Sequence, residues 1–299
     1  MVSILIVNYK TAHLVSNCVN SICEHTKGVD YEIIVADNNS SEEERNILRR
    51  DNRYTFIELE SNLGFGQANN AAAKIAKGDY LFLLNPDTIL INDAVSILCK
   101  YISSHQPVGI CGGNLYDANM QPTHSYHRLY PSIISEMDFA SGQLFRRILY
   151  GRNRQFNTTS YPIEVAMITG ADLMIRQDVW TQLQGFDPQF FMYCEDADLC
   201  FRCHHIGYKI VSVPDAHIQH LEGKSFIESE KRCRRILEGR FKFFHKHYSP
   251  LYNKVSNSLN IFSLRIAVIV YKLIGRDHAV ANYRQRLRIY KEFTKNEGN

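Results

Sequence analysis

The stretch Ile34-Val-Ala-Asp-Asn-Asn-Ser40 joins an apolar, β-branched run to a cluster of polar residues. Such a run is typical of a buried strand, and Asp, Asn and Ser are typical of the turn that follows one. The pattern recurs where Thr55–Leu59 precedes Asn62 and where Tyr80–Leu84 precedes Asn85. Repeated strands that end in polar residues predict an α/β sheet with a ligand site at the carboxyl ends of its strands.

Segments with helical character separate the predicted strands. They are Leu14–Glu24, Ser41–Arg50, Gly66–Ala76 and Asp93–Ser103, and a further strand is predicted at Ser3–Val7. This alternation predicts βαβ units and therefore a single, mostly parallel sheet flanked by helices. Later predicted elements are strands at Ile168–Arg176 and Lys209–Val213 and helices at Gln177–Leu183 and Asp196–Ile206.

Charge divides the chain of 299 residues into two unequal parts. Residues 1–227 contain 18 Lys and Arg and 25 Asp and Glu, a net charge of −7, whereas residues 228–299 contain 16 and 6, a net charge of +10. The second part has helical periodicity, broken near Ser249-Pro250 and Gly275-Arg276. We therefore predict an α/β domain over residues 1–227 and a basic helical C-terminal extension over residues 228–299.

The apolar run Leu259–Ile274 lies within this basic extension. It is too short, and with Arg265 and Lys272 too charged, to cross a bilayer. Basic amphipathic helices of this kind bind anionic membrane surfaces. The alternatives are packing on the α/β domain or on a second subunit, as in a homodimer. No nucleic acid is expected as a partner, because no recognition motif accompanies the basic residues.

The N-terminus and the cysteines indicate a compartment. Met1 leads directly into the first predicted strand, without the basic start or the small-residue cleavage site of a signal peptide. The eight cysteines are then expected as thiols in a reducing environment. We expect a cytoplasmic protein, with the basic extension placing it peripherally at the inner face of the cell membrane.

A set of motifs resembles the family-two glycosyltransferases, which have the A-type nucleotide-sugar fold. The resemblance is strongest to the rhamnosyltransferase-like branch that builds bacterial surface polysaccharides, and it covers about residues 1–226. The matching stretches are Ser3-Ile-Leu-Ile-Val-Asn-Tyr9, Ile34–Ser40, Asn62-Leu-Gly-Phe-Gly-Gln-Ala-Asn-Asn70, Leu83-Leu-Asn-Pro-Asp-Thr88, Thr169-Gly-Ala-Asp172, Gly185–Cys200 and His220-Leu-Glu-Gly-Lys-Ser225.

This resemblance implies an enzyme that moves a sugar from a nucleotide-diphosphate donor to a hydroxyl of a saccharide or lipid-linked acceptor. The donor is expected to be a dTDP- or UDP-sugar, with rhamnose as the first candidate. The implied donor-binding residues are Asn8, Tyr9, Asp37, Asn62, Gly64, Asn70, Asn85 and Asp87. Asp37 would accept the ring N–H that thymine and uracil share. The acceptor side would contain Gly170, Ala171 and Asp172.

A divalent metal, Mg²⁺ or Mn²⁺, is expected because the diphosphate leaving group must have its charge neutralised. By resemblance Asp87 and His220 are its protein ligands, with His217 as the alternative histidine. Asn85 stands where the family usually has a first Asp, so a single full carboxylate remains in this motif. Lys224 and Ser225 lie where a loop could cover the diphosphate.

The acceptor hydroxyl must lose its proton as it attacks, and a carboxylate serves as the base. Asp196 matches the family's base, with Glu195 as the alternative. One displacement with one base predicts inversion at the anomeric carbon. The structural alternative is that acids at a helix start only complement the helix dipole.

Two other functions compete with this interpretation. A nucleotidyltransferase should carry a glycine-rich phosphate loop near the N-terminus, and Ser3–Lys10 has none. A non-catalytic sugar- or nucleotide-binding scaffold on the same fold would tolerate loss of Asp87, Asp196 or His220. All three residues are present, which favours an enzyme.

Overall fold

The computed structural model of the chain describes residues 1–141, 143–221 and 230–296. The described strands are β1 Val2–Asn8, β2 Tyr31–Asp37, β3 Thr55–Glu58, β4 Tyr80–Leu84, β5 Thr88–Leu90, β6 Val108–Tyr116, β7 Tyr126–His127, β8 Ile163–Glu164, β9 Met167–Ile168, β10 Asp172–Arg176 and β11 Lys209–His220.

Helices separate most of these strands and make up the C-terminal part. The described helices are α1 Ala12–His25, α2 Glu42–Leu48, α3 Phe65–Ala73, α4 Ala94–Ser104, α5 Ile133–Ala140, α6 Leu144–Tyr150, α7 Gln177–Leu183, α8 Glu195–His205, α9 Glu230–His247, α10 Pro250–Leu273 and α11 Asp277–Asn296, with a short 3₁₀ turn at Gly151–Arg154. The predicted breaks near Ser249-Pro250 and Gly275-Arg276 are confirmed.

The main sheet has the strand order β3-β2-β1-β4-β10-β6-β11-β5, and β8 also pairs with β11. Strands β1 to β4, β6 and β11 run in one direction, whereas β10, β5 and β8 run in the other. The mostly parallel α/β sheet predicted from the sequence is therefore confirmed. Because β10 is antiparallel to β4, its first residue lies opposite Leu84, at the carboxyl edge of the parallel strands.

Alternating strands and helices of the first unit bury an extended apolar core against the sheet. All of β1 is buried, as expected for a central strand covered on both faces. The buried face of α1 contributes Val15, Val19 and Ile22 to this core. Ser41 and Asp93 cap α2 and α4 by accepting the amide hydrogens of Glu44 and Ser96, which fixes where each helix begins.

Two predicted strands differ from the structure. The predicted strand Ile168–Arg176 is divided into β9 and β10, because the backbone of Thr169–Ala171 leaves the ladder between them. The predicted strand Lys209–Val213 continues to His220 as β11. Its pairing with β6 has a register shift between Ser212 and His217, where Pro214 cannot donate a ladder hydrogen bond. The apolar pattern that predicted the strand ends at this register shift, whereas the strand itself continues to His220.

The described residues cluster into two units, the first comprising Met1–Arg128, Arg152–Phe191 and the chain from Glu195. The second comprises Leu129–Gly151, Met192–Cys194 and the C-terminal helices. The division predicted between residues 227 and 228 lies outside the described residues. No helix in the described part of the chain combines the length and the apolar character needed to cross a bilayer.

In the second unit, α9 to α11 share a small apolar core that includes Leu237, Phe241 and Leu264. Beside it lies the buried guanidinium of Arg240, which forms an ion pair with Glu136 and stacks 4.0 Å from the centroid of the Phe244 ring. A buried charge is costly unless it is paired and hydrogen-bonded, so this contact ties α5 to α9.

Arg240→Ala is therefore expected to lower the free energy of unfolding by about 3–5 kcal/mol, because it leaves the carboxylate of Glu136 buried without its cation. The measurement is urea unfolding followed by circular dichroism. The matched control is Arg288→Ala, which removes a more exposed ion pair to Glu230 and should cost less than about 1 kcal/mol. Equal losses in the two variants would contradict this role of Arg240.

Candidate active site

The carboxyl ends of β1 and β2 hold Asn8 and Asp37 side by side, in the pairing register of the two strands. The carboxylate of Asp37 accepts hydrogen bonds from Asn8 Nδ2 at 2.8 Å, from the Ser40 amide at 3.0 Å and from Arg45 Nε at 2.8 Å. Burial raises the pKa of Asp37, but the hydrogen bonds from Ser40, Arg45 and Asn8 outweigh burial and hold this pKa below its usual value.

These contacts change how the predicted donor residues are interpreted. The side chain of Asp37 has no exposed surface, and Asn8 is fully buried with Thr11 and Ser40 as further partners. Asn8 thus has the contacts of a residue that positions Asp37. Tyr9 is 44% exposed and remains accessible to a ligand. Arg45 was missed in the sequence, because nothing in its spacing marks it as the partner of Asp37.

The loop that contains Asn62 and Gly64 is held against the end of β2 by Asn38. The Asn38 amide donates to Asn62 Oδ1 at 3.0 Å and to the Gly64 carbonyl at 3.2 Å, and Asn38 Oδ1 accepts the Leu63 amide hydrogen at 2.8 Å. Gly64 has φ +82°, and a Cβ there would lie 2.8 Å from the carbonyl carbon of Phe191. This glycine is therefore required by the neighbouring protein backbone. Asn38 belongs to the quoted strand-end motif but was not singled out.

Asn70 uses both ends of its side-chain amide within the protein. It donates to the Phe186 carbonyl at 2.8 Å and accepts the Phe186 amide hydrogen at 2.9 Å. This pair of bonds favours a role in holding the Gly185-Phe186 turn over the predicted contact with the donor.

Asp87, His220 and Asn85 come together at one point of the sheet edge. The antiparallel pairing of β5 and β11 places His220 opposite Thr88 and therefore beside Asp87. His220 Nε2 lies 3.3 Å from Asp87 Oδ1 and 3.4 Å from Asn85 Nδ2. His217, the alternative histidine, lies earlier on β11 and packs edge-on against Tyr116 at 5.5 Å between ring centroids. The contacts favour His220.

The Asp87–His220 pair is compatible with a divalent cation. Two ligand atoms at about 2.1 Å from one octahedral ion, in adjacent positions, are about 3 Å apart. The observed 3.3 Å between Asp87 Oδ1 and His220 Nε2 is close to that separation. Among the described residues, no group of three or more His, Cys, Asp and Glu could hold a metal ion. Any ion at this pair therefore needs ligand oxygens from a substrate or from water.

The predicted acceptor segment Gly170-Ala171-Asp172 lies between the segment that contains Asp87 and the start of α8, which contains Asp196. The Gly170 amide donates to Asp196 Oδ2 at 3.1 Å, and the Ala171 carbonyl accepts the Asn85 amide hydrogen at 3.0 Å. Asp172 is fully buried, and its Oδ2 accepts the Gly113 amide hydrogen at 2.6 Å. Burial raises the pKa of Asp172 well above its usual value. Asp172 is thus held behind the surface on which Gly170 and Asp196 lie.

Glu195 and Asp196, the predicted acids, form the first turn of α8 and differ in their surroundings. Asp196 is half-buried, and its carboxylate also accepts the Ala197 amide hydrogen at 2.8 Å. Glu195 is buried, and its Oε2 has no hydrogen-bond partner among the described residues. Burial, together with the charge of Asp196, raises the pKa of Glu195 to about 8. Burial also raises the pKa of Asp196, although backbone hydrogen bonds oppose that rise.

The pair therefore loses its first proton from Asp196, because amide hydrogens stabilise that carboxylate and none stabilises Glu195 Oε2 within the described residues. Asp198, the third acid, forms an ion pair with Arg202 at 2.8 Å. Arg202 in turn donates to the carbonyls of Leu183 and Gly185. The predicted covering residues Lys224 and Ser225 lie outside the described residues.

Comparisons with known proteins show the family to which the chain belongs. A family model described as "Glycosyltransferase like family 2" matches residues 1–239. The chain is 28% identical over 269 residues to rhamnosyltransferase WbbL of Escherichia coli (strain K12), covering 81% of this chain and 92% of the relative. It is 24% identical over 208 residues to the N-acetylglucosaminyl-diphospho-decaprenol L-rhamnosyltransferase of Mycobacterium tuberculosis (strain CDC 1551 / Oshkosh), covering 64% and 67%.

Among solved structures, the mannosyltransferase PcManGT from Pyrobaculum calidifontis, in complex with GDP-Man and Mn²⁺, superposes with a TM-score of 0.63. The superposition covers 97% of this chain and 84% of that one at 15% sequence identity, so it bears on the fold alone. It confirms the A-type glycosyltransferase fold, and the two rhamnosyltransferases confirm the branch. Since the family model covers most of the chain, the protein belongs to glycosyltransferase-like family 2.

Proposed function

We propose that this glycosyltransferase transfers a sugar, with rhamnose as the first candidate, from a dTDP- or UDP-linked donor to a hydroxyl of a saccharide or lipid-linked acceptor, with inversion. One observation carries the chemistry. The hydrogen bond from the backbone amide of Asn85 to the backbone carbonyl of Ala171 joins the segment with the Asp87–His220 pair to the segment with the Gly170–Asp196 contact. These contacts support a leaving-group role for Asp87 and His220 and a base role for Asp196 within the first unit. The names of the two rhamnosyltransferase relatives support rhamnose and, for one of them, a lipid-linked acceptor.

In this proposal Asp196 accepts the proton of the acceptor hydroxyl while the hydroxyl oxygen attacks the anomeric carbon. The bond from that carbon to the donor diphosphate breaks, and the diphosphate leaves with the electron pair. The amide hydrogens of Gly170 and Ala197 orient the carboxylate of Asp196. Glu195, whose pKa of about 8 keeps it protonated at neutral pH, adds no second negative charge beside the base.

Asp87 and His220 would hold a divalent cation, and the fold's likeness to an enzyme solved with Mn²⁺ supports this role. When bound, the cation would neutralise charge on the departing diphosphate. Asn85 Nδ2 lies 3.4 Å from the same ring nitrogen, His220 Nε2, that faces Asp87. The side chain of Asn85 is a neutral amide where a second carboxylate could stand, so less negative charge surrounds Asp87 and His220. The affinity for the metal therefore depends more strongly on the diphosphate.

For the nucleobase, Asp37 would accept the ring N–H of uracil or thymine. Its carboxylate already accepts from Asn8 Nδ2, Arg45 Nε and both the backbone amide and the side chain of Ser40. Because Asp37 is fully covered in the structure, donor binding must displace one of these donors.

A non-catalytic scaffold is the second candidate, and the acid pair argues against it. Glu195 Oε2 is a buried carboxyl oxygen that has no hydrogen-bond partner among the described residues, and it lies beside a second carboxylate. Such an arrangement lowers stability and gives nothing to a protein that only binds. Perturbed carboxyl groups of this kind concentrate at catalytic sites.

The second unit exposes apolar side chains that support a peripheral membrane role. On α10, Asn253, Ser256 and Asn257 are buried, whereas Phe262 and Ile269 are 60% and 58% exposed. In α6, too, a polar residue is buried and apolar residues are exposed. There Arg146 is buried in an ion pair with Asp138, and the exposed side chains are Leu144, Phe145, Ile148 and Leu149.

Apolar residues that face outward beside basic ones suit an anionic lipid surface. Arg147 on α6 is exposed, and residues 228–299 carry a net charge of +10. A symmetric self-contact would bring these like charges together, so the lipid surface is the better partner. We therefore propose that residues 228–299, together with α6, bind the inner face of the membrane.

Asp196→Asn should abolish transfer and leave the dissociation constant of the donor within about twofold, because the amide cannot accept the proton. Turnover is measured as nucleotide-diphosphate release, and donor affinity by calorimetry. The control is Asp215→Asn, an exposed carboxylate of the first unit that should behave as wild type. Near-normal turnover of Asp196→Asn would move the base to Glu195.

The metal pair has a direct test that does not depend on turnover. Mn²⁺ bound in the presence of nucleotide diphosphate is counted by electron paramagnetic resonance. Asp87→Ala and His220→Ala should each weaken Mn²⁺ binding at least tenfold, whereas His217→Ala should leave it unchanged. EDTA-treated enzyme that retains its full rate would show the metal assignment to be wrong.

The donor prediction is tested by competition among nucleotide sugars. dTDP-rhamnose should support the fastest diphosphate release, and dTDP and UDP should compete with it, since Asp37 accepts the N–H that both bases share. Asp37→Asn should weaken both nucleotides together. Clear preference for GDP-mannose over both pyrimidine donors would refute the assignment.

Membrane docking is tested by co-sedimentation with vesicles that contain anionic lipid. Binding should appear at low salt, weaken at high salt, and fall at least tenfold in Phe262→Ser/Ile269→Ser and in Ile148→Ser/Leu149→Ser. The matched control, Ile47→Ser/Ile75→Ser, changes two exposed isoleucines of the first unit and should bind normally. Absence of vesicle binding together with a dimer in analytical ultracentrifugation would assign these faces to self-association.

A further inference from the structure

The two residues before the acid pair have an unusual backbone. Tyr193 and Cys194 have φ values of +72° and +66°, consecutive left-handed positions occupied by residues other than glycine. A Cβ makes this region sterically unfavourable, so such residues persist only where the surrounding structure holds them. The chain passes from Cys194 directly to Glu195, the first residue of α8.

The contact that holds this pair comes from α9. Gly239 lies in the middle of α9, where glycine is a poor helix former and needs a reason. A Cβ at Gly239 would overlap the carbonyl oxygen of Tyr193, and it would lie 3.0 Å from the carbonyl carbon and 3.4 Å from Cys194 Cβ. One turn earlier, Arg235 Nη1 lies 3.8 Å from Met192 Sδ. α9 therefore contacts three successive residues, and only a glycine admits the Tyr193 carbonyl.

We infer that Gly239 is a positioning residue for the transfer reaction: by admitting the Tyr193 carbonyl, it keeps Tyr193 and Cys194 left-handed and so sets the direction in which Glu195 and Asp196 enter the site. This role rests on the proposed function of Asp196 as the base. A change in the dihedral angles of Cys194 rotates everything that follows it, including the carboxylate that accepts the Gly170 amide hydrogen at 3.1 Å. A helix of the C-terminal extension would thus take part in the catalytic geometry.

Burial raises the pKa values of Glu195 and Asp196. If the two side chains are displaced, their burial changes, and the pH dependence of the reaction should change with it. A merely structural role of Gly239 would lower the amount of folded enzyme and leave the pH profile of the active fraction unchanged. The pH dependence of kcat therefore separates positioning from folding.

The first experiment compares Gly239→Ala with Glu238→Ala, its neighbour on the same helix. We expect Gly239→Ala to lower kcat at least tenfold, to leave the donor KM within about twofold, and to move the midpoint of the kcat–pH profile by more than half a pH unit. Glu238→Ala should match wild type in all three. A Gly239→Ala enzyme with wild-type kcat and pH profile overturns the inference.

The second experiment uses a series at Cys194 and decides the matter even if Gly239→Ala does not fold. Glycine adopts positive φ freely, alanine about as well as cysteine, and valine poorly because it is β-branched. Cys194→Gly and Cys194→Ala should keep kcat within about threefold of wild type, whereas Cys194→Val should lose at least tenfold and shift the pH midpoint. An active Cys194→Val, or a Cys194→Ala as impaired as Cys194→Val, overturns the inference.

The two levels of proposal fail differently. If Asp196 is not the base, Asp196→Asn remains active whatever happens at Gly239. If only the positioning role is wrong, Asp196→Asn is inactive while Gly239→Ala and Cys194→Val turn over normally.

Discussion

The hydrogen bond from the backbone amide of Asn85 to the backbone carbonyl of Ala171 is the contact on which the rest of the site depends. It extends the antiparallel pairing of β4 and β10 one step beyond the strands. Because β10 runs against its neighbours, its start lies where the parallel strands end, so the segment Gly170–Asp172 meets the segment Asn85–Asp87. A parallel β10 would have carried Gly170 and Asp172 to the opposite edge of the sheet, away from Asp87.

Five carboxyl groups at this edge have three different electrostatic settings. Hydrogen bonds from Ser40, Arg45 and Asn8 hold the pKa of Asp37 below its usual value despite its burial. Asp172 and Glu195 have raised pKa values because they are buried with few donors. Asp87 and Asp196 remain accessible, the first beside His220 and the second beside Gly170. The fold thus keeps two usable carboxylates and limits the repulsion that five charges would produce.

The second unit reverses the usual distribution of side chains. Its interior holds the Arg240–Glu136 and Arg146–Asp138 ion pairs, and its helices turn Phe262, Ile148 and similar side chains outward. Buried ion pairs contribute little net stability, so this arrangement makes sense only if the exposed apolar surface has a use.

The sequence by itself determined the α/β class, the strand ends that carry polar residues, the helices that begin near Ser41 and Asp93 and the breaks between the C-terminal helices. These features depend on local periodicity and turn chemistry, which neighbouring residues encode. Only the tertiary structure decided that β11 continues to His220 and that α10 faces outward with its apolar side. It also decided that Arg45 forms an ion pair with Asp37 and that Asn70 binds the Phe186 backbone. Those outcomes depend on strand register and on partners far apart along the chain, which no local pattern specifies.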